Sequence, residues 1–511
     1  MQPRSTAGMT TKVVKGSIWT LAGQIFPLGA SLVATPFVIR FLGAEQYGVL
    51  ALINVLLGYL AFADFGMSLA STNFASEAYA KGSVDKEGKA VRLAVLIGLG
   101  TTTITAVLVI IFARVIVVDL LRIPDHLQDV AVIGIYLSCV TFTSRVLSAI
   151  VCTPQLVRLR MDLNSSVNAI FNVVQIVTVP LVIFLGGGLI GAVITIMCSA
   201  IGALLVHLVV SRKLLRSLFE FSIDPDAVKP LLRFGSSIFI ALVASVLLAN
   251  LEKVVLTRYT SVTVLAYYTV AFTLANMMTL FAASMAQSLI PAFSQLYSNQ
   301  QVPELQALYA RAIRLNLVIF APVAMVLALI AEPFFTIWAG EEFGRESTIP
   351  FYTLLAGLMF SFAASVAGAM LVAARKTHAS AILYWVELFP YLIVVTGLTL
   401  TLGAVGAALA WSLRLVVETA ALLFIVKRTV GLSFDIVDKK MLTLMFGILL
   451  LSISPILTVL TTGHTGVLAA VALVCLGVYA LMIWFRVLSI EEKNFLRGKL
   501  SGFAPFRRLP R

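Results

Sequence analysis

A small set of side chains carries charge or strong polarity inside stretches that are otherwise apolar: Arg145, Lys253, Arg414 and Asn250, and the carboxylates Asp64, Glu387 and Glu418. A charge at the centre of a bilayer costs about 2.5–3.5 kcal/mol on an insertion scale, so each needs a partner or a water-filled cavity. The cations, with Asn250 beside Lys253, have the chemistry to hold an anionic ligand such as a phosphate or an acidic sugar. The carboxylates can orient those cations, pair with them structurally, or take up a coupling ion.

Arg145, among Thr141, Ser144 and Ser148, reads either as a cation in a central cavity or as half of an interhelical ion pair. Lys253 either has the matching role in the second half of the chain or, lying nearer a helix end, snorkels to the interface. Arg414 and Glu418 are four apart and can pair with each other on one helix face. Glu387, beside Trp385 and Pro390, either partners Arg414 or titrates with substrate or a coupling ion. Asp64 precedes Phe65-Gly66 and either caps a break in its helix, orients Arg145 or accepts a proton. Among uncharged groups, Gln24, Asn276 and Gln287 are scattered, while Asn168, Asn172 and Gln175 share one helix face. Such a stripe binds helix to helix or lines a cavity.

The elements that carry these groups are membrane helices. The 511 residues are 60% hydrophobic and 12% charged, against about 25% charged in a soluble domain. Apolar runs of membrane length recur along the whole chain, so it is expected to be an all-α polytopic membrane protein. The basic start, Met1 to Lys15, precedes an apolar run too long for a cleavable signal and is expected to lead into a retained first helix. The net charge of +13 fits cytoplasmic loops facing anionic lipid headgroups better than nucleic acid. Cys139, Cys152, Cys198 and Cys475 have no paired spacing and read as small buried hydrophobes. His126, His207, His378 and His464 are scattered, so no metal site is expected.

Window hydropathy gives about fourteen spans. Arg40 to Gly48 is a polar hairpin between the first two, with Gly43 and Gly48 as its flexible points. A faint echo, Tyr259 to Tyr268, follows about 218 residues later and suggests a parallel internal repeat. The expected organisation is an N-terminal six-helix lobe (1–211), a cytoplasmic linker broken at Pro225 and Pro230 (212–233), a second six-helix lobe (234–426), two extra helices (427–485) and a basic cytoplasmic tail (486–511). Lys and Arg crowd the even loops, roughly 29 against about five, which puts both termini in the cytoplasm. Outer loops are short. The longest, Arg114 to Asp129, has a helical pattern expected to lie along the interface.

No Gly-x-Ser-x-Gly elbow, His-Glu-x-x-His or nucleotide loop is present, so the chain reads as no enzyme and calls for no cofactor. Energy for movement would come from an ion gradient, the membrane potential or downhill flow, with proton or sodium coupling open.

Phe41-Leu42-Gly43-Ala44-Glu45-Gln46-Tyr47-Gly48 and Asp64-Phe65-Gly66-Met67-Ser68 resemble the bacterial polysaccharide exporters of the multidrug/oligosaccharidyl-lipid/polysaccharide superfamily. The span pattern and the echo extend the likeness over essentially the whole chain. The resemblance implies a flippase in the bacterial inner membrane that moves undecaprenyl-diphosphate-linked oligosaccharide for O-antigen, exopolysaccharide or capsule synthesis. It implies alternating access through a central, often cationic cavity, with polymer-assembly proteins as possible partners. The alternative is an ion-coupled multidrug or metabolite antiporter of the same superfamily, in which Asp64, Glu387 or Glu418 would be essential. A membrane polymerase or ligase is disfavoured by the short outer loops.

Overall fold

The computed structural model describes residues 6–215, 225–434, 439–448, 465–488 and 493, and side chains from Phe26 onward. The Gln24 side chain, His464, most of the expected thirteenth span and tail, and the middle of the expected linker lie outside them.

The described residues are almost entirely helical. The first half runs α1 (Thr6–Leu60), α2 (Met67–Ala80), α3 (Val84–Val115), α4 (Asp125–Val151), α5 (Thr153–Val157), α6 (Met161–Val182) and α7 (Gly188–Leu214). The second runs α8 (Pro225–Tyr259), α9 (Val262–Ser298), α10 (Val302–Ala339), α11 (Glu341–Ala373), α12 (Thr377–Val430) and α13 (Thr465–Met482). Among the described residues, eight helices are long and apolar enough to cross a membrane, where the sequence windows give about fourteen. Part of the difference is physical. Met161–Leu214 and Thr377–Val430 are each 54 residues, about 80 Å of helix against an apolar layer of about 30 Å. Each is interrupted by a glycine at positive φ, Gly186 and Gly188 in the first and Gly403 in the second. α6 and α7 pack against each other on either side of the first break, so glycine alone turns the chain where the windows expect two spans. Gly43, at φ 78° and ψ 165°, breaks α1 within the expected hairpin.

By contacts the chain divides into two units. The first is Met1–Thr269 with Trp338–Gly340 and Tyr384–Ala407; the second is Val270–Ile337, Glu341–Leu383 and Ala408–Arg511. In the first unit, α1 packs on α6, α4 on α7, and α3 on both α2 and α4. α3 shows why. Ser83 precedes it, Asp85 and Glu87 occupy its first turn and Arg114 its last, which complements the helix dipole. Several of its buried residues are small (Ala90, Ala94, Gly98, Thr102), beside Val91 and Leu93. A Cβ at Gly98 would lie 2.5 Å from the Ile150 side chain, so the glycine permits close approach to α4. Ile104, Val107, Leu108 and Ile111 lie exposed on it at helical spacing, as expected of a lipid-facing surface. The expected interfacial helix after Arg114 is instead a continuation of α3, with a π-turn over Ile116–Leu120. The Arg258 guanidinium, at the end of α8, donates to the Asp119 and Leu120 carbonyls that close it.

The second unit has its own aromatic core. Phe320 and Phe362 rings lie 4.6 Å apart, Phe335 meets Phe351 edge-on, and Phe272 meets Trp411 edge-on. Ser412 Oγ donates to the Thr353 carbonyl at 2.7 Å, and Gly357 leaves room for this contact between α11 and α12.

Left-handed residues recur along the chain in step. Gly82 and Gln300, Arg122 and Gly340, Leu159 and Arg375, and Gly186 and Gly403 all have positive φ and are about 217 positions apart in every case, the signature of an internal repeat.

Candidate functional site

Asp64 ends a 3-10 turn over Ala61–Asp64, and the left-handed Phe65 and Gly66 let α2 begin afresh at Met67. Its carboxylate accepts from Ser68 twice, from the backbone N–H at 3.1 Å and from Oγ at 2.7 Å. Asp64 thus takes up a backbone N–H in the first turn of α2, although the N-cap residue itself is Gly66. The elbow is fixed from outside as well: the Phe65 and Phe239 rings are 4.6 Å apart, and Gly235 lets α8 approach the Phe65 carbonyl.

From this elbow α2 packs on α4 and α5, and side chains of α2, α4, α5, α6 and α7 line a cavity of about 520 Å³. Its polar wall consists of Ser68 and Thr72 (α2), Arg145 and Ser148 (α4), Asn164, Asn168, Asn172 and Gln175 (α6), and Ser199 and His207 (α7). The α6 amides thus line a cavity, one of the two roles open to that stripe. Several groups are committed to the protein: Ser199 Oγ donates to the Phe171 carbonyl, and Asn168 Nδ2 to Asn164 Oδ1. Others are available. Arg145 is exposed to the cavity and makes no hydrogen bond or ion pair among the described residues. Asn172 and Gln175 make none there either, and the buried Ser148 Oγ has no partner. The arrangement offers one strong cation and a ladder of neutral donors and acceptors, a combination that suits an anionic, polyhydroxylated ligand.

Of the charged residues singled out from the sequence, only Arg145 lines this cavity. Lys253 is buried on α8; its Nζ donates to Asn250 Oδ1 at 2.9 Å and lies 3.8 Å from the Glu252 carboxylate. Glu252, fully buried, also accepts from the Tyr391 hydroxyl at 3.2 Å. Glu387 is buried one turn before Tyr391 on α12. Arg414 and Glu418 face each other along α12 at 3.7 Å, both largely buried. A larger cavity of about 790 Å³ lies in the second unit, where the ends of α9, α11 and α12 meet the start of α10; Arg375 is the charged residue in its wall. None of the residues singled out lines it.

Sequence reasoning missed two constellations. Glu87, fully buried at the start of α3, takes a two-point grip from Arg158, which also stacks 4.9 Å over the Tyr79 ring. The available signal was an acid, Glu87, set among Lys86, Lys89 and Arg92. Gln155, His207 and Ser211 form a buried polar cluster behind the cavity; the four-residue spacing of His207 and Ser211 was its only trace. Cys198, expected buried, is exposed, and the other three cysteines are buried.

The helical fold is shared with solved structures of transporters. The structure of the lipid II flippase MurJ in an inward closed conformation superposes with a TM-score of 0.70 over 95% of this chain and 100% of that one, at 16% identity. An inward-facing multidrug resistance MATE family transporter of the MOP superfamily gives a TM-score of 0.67 over 81% and 98%, at 14% identity. At such identities the likeness concerns the fold. The sequence profile of the family described as polysaccharide biosynthesis protein matches residues 13–297, and the chain belongs to that family. It is also 21% identical, over 81% of its length and 98% of the relative's, to a Shigella flexneri protein described as an O-antigen transporter.

Proposed function

We propose that the protein is a flippase for undecaprenyl-diphosphate-linked oligosaccharide, working by alternating access in the bacterial inner membrane, with both termini cytoplasmic and six-helix lobes as its moving parts. The observation that carries this reading is Arg145: a guanidinium with no hydrogen bond or ion pair among the described residues, in a cavity whose other polar groups are mostly amides and hydroxyls. The diphosphate would sit on Arg145, and Asn172, Gln175 and Ser148 would take hydroxyls of the first sugars, while the isoprenyl tail stays in lipid. Lys253, Asn250 and Arg414 serve as structural or second-stage contacts, since each is already engaged by neighbours. An O-antigen transporter as relative supports the substrate class.

The rival reading, an ion-coupled antiporter of organic cations, has the MATE likeness behind it. The cavity argues against it, because its charged residue is a cation and no carboxylate lines it. The deciding experiment is a leaflet assay in proteoliposomes with a fluorescent undecaprenyl-diphosphate oligosaccharide. Protein-dependent movement to the outer leaflet, lost in Arg145→Ala at normal protein level, is expected. Arg145→Ala moving substrate at the wild-type rate would overturn the cationic-cavity mechanism, and movement of a small organic cation instead would establish the antiporter.

A further inference from the structure

The cavity has one fixed positive charge in its wall, whereas a diphosphate esterified at both ends carries one negative charge on each phosphate. His207 lies at the back of the same cavity, 1% exposed. Its Nδ1 faces Gln155 Nε2 at 3.1 Å, and its Nε2 faces Asn168 Oδ1 at 3.5 Å. The amide N–H fixes the neutral tautomer: Nδ1 accepts, so the ring proton is on Nε2, pointing at Asn168. Gln155 also donates from Nε2 to Ser211 Oγ at 3.1 Å. That leaves Gln155 Oε1, in a fully buried side chain, with no hydrogen-bond partner. An orphaned buried acceptor of this kind destabilises the arrangement that leaves it so.

The orphan has a use. If a proton arrives at Nδ1, the present contact becomes donor against donor. Rotating the Gln155 amide by half a turn then brings Oε1 to the new N–H and to the Ser211 hydroxyl. The group without a partner in the neutral arrangement becomes the acceptor the charged ring needs. The resulting cation communicates with the cavity through Asn168, whose neighbour Asn172 is free to meet a ligand.

We propose that His207, protonated at Nδ1 with Gln155 as its acceptor, is the second cation of this cavity, so that a ligand with two anionic charges binds together with one proton. This rests on the flippase reading and adds the coupled ion to it. The charged or titratable groups that share the cavity with His207 are Arg145 from α4 and Cys152, which follows it, with none from α2, α5 or α6. α1, which also packs on α7, contributes none to the cavity wall. On α7 itself Arg212 and Lys213 lie beyond, in the last turn; Arg158, which follows α5, is held by Glu87, and Asp162 on α6 by Arg160. No carboxylate lining the cavity competes for the role.

By linkage, a ligand that prefers the protonated form promotes proton uptake, and low pH tightens its binding by the same factor. The probe is a farnesyl-diphospho-N-acetylglucosamine, whose doubly esterified phosphates do not titrate near neutrality. It is added to purified protein in nanodiscs, in weak buffer with a pH indicator. Wild-type protein takes up protons on binding, and its Kd is about tenfold lower at pH 6 than at pH 8. His207→Gln binds without uptake and without that pH dependence. Gln155→Met, which keeps the volume but removes the acceptor, loses the tightening at pH 6 and retains the pH 8 affinity. Absence of uptake by the wild type, or uptake persisting in His207→Gln, overturns the inference. In that case loss of binding in Arg145→Ala would still leave the flippase reading standing, whereas no binding by the wild type overturns both.

Discussion

Gly48 lies so close to Val262 that a Cβ at position 48 would sit 1.9 Å from the Val262 carbonyl oxygen. Gly48 closes the hairpin after α1's glycine break, and Val262 opens α9 within the segment that echoes that hairpin. The two turns therefore meet, backbone to backbone, inside the first unit. Nearby, His126 at the start of α4 contacts the hairpin's Glu45 at 3.3 Å.

Replacement of Gly48 by alanine must displace main chain, because the clashing atom is a carbonyl oxygen rather than a flexible side-chain end. A cost of about 1–3 kcal/mol or more is expected. Gly43→Ala meets no neighbour within 4 Å but must hold φ 78° with ψ 165°, a region essentially reserved for glycine, which costs about 1–3 kcal/mol. Thermal unfolding in detergent should rank Gly48→Ala below Gly43→Ala. The reverse order would mean that the hairpins do not touch.

The Glu87–Arg158 pair should behave as a buried ion pair. Arg158→Met strands a carboxylate with no exposure, at a cost of about 3–5 kcal/mol. Removing both charges in Glu87→Gln/Arg158→Met should recover most of that loss, since well-packed neutral replacements of buried pairs are often close to neutral. A double-mutant cycle on unfolding midpoints reads this directly. Additive losses would show that the two side chains act separately.

For Asp64 the geometry separates capping from proton transfer. Asparagine can still accept from Ser68 but cannot take up a proton, so Asp64→Asn should keep both stability and transport. Asp64→Ala should lose about 0.5–2 kcal/mol, the usual cost of a lost cap. A transport-dead Asp64→Asn with normal folding would return Asp64 to the list of coupling groups.

The all-helical membrane fold was legible because an apolar helix in lipid must satisfy its own backbone, and that requirement writes long apolar runs into any sequence. The repeat was nearly invisible for a related reason. Its shared feature is a backbone conformation, and residues as unlike as Gly82 and Gln300, or Leu159 and Arg375, adopt it. Asp64 and the amide stripe on α6 could be nominated from spacing alone, since both depend on one helix. Glu87 with Arg158, and His207 with Gln155, join distant segments, and no local pattern records such a partner. The windows divide the chain near Gly186 and Gly403, where a glycine at positive φ interrupts the helix without a polar loop.

The repeat also separates Arg145 from Lys253, which the sequence had treated as counterparts. Carried over by the offset of the shared turns, Arg145 falls opposite Ser361, Phe362 and Ala363 on α11, which carry no charge, and Phe362 is fully buried. Lys253 instead belongs to a local group with Asn250 and Glu252. The two cations should therefore fail in different ways. Lys253→Met removes the cation 3.8 Å from the buried Glu252, and it should lower the unfolding temperature; Glu252→Gln added to it should restore much of the loss. Arg145→Ala removes a side chain with no hydrogen bond or ion pair among the described residues, so its unfolding temperature should stay close to wild type while transport is lost. Arg145→Lys keeps a point charge but not the two-point geometry for a phosphate, and should retain only part of the rate. If Lys253→Met unfolds like the wild type and abolishes transport, Lys253 is a ligand contact after all, and the two halves share the work of binding.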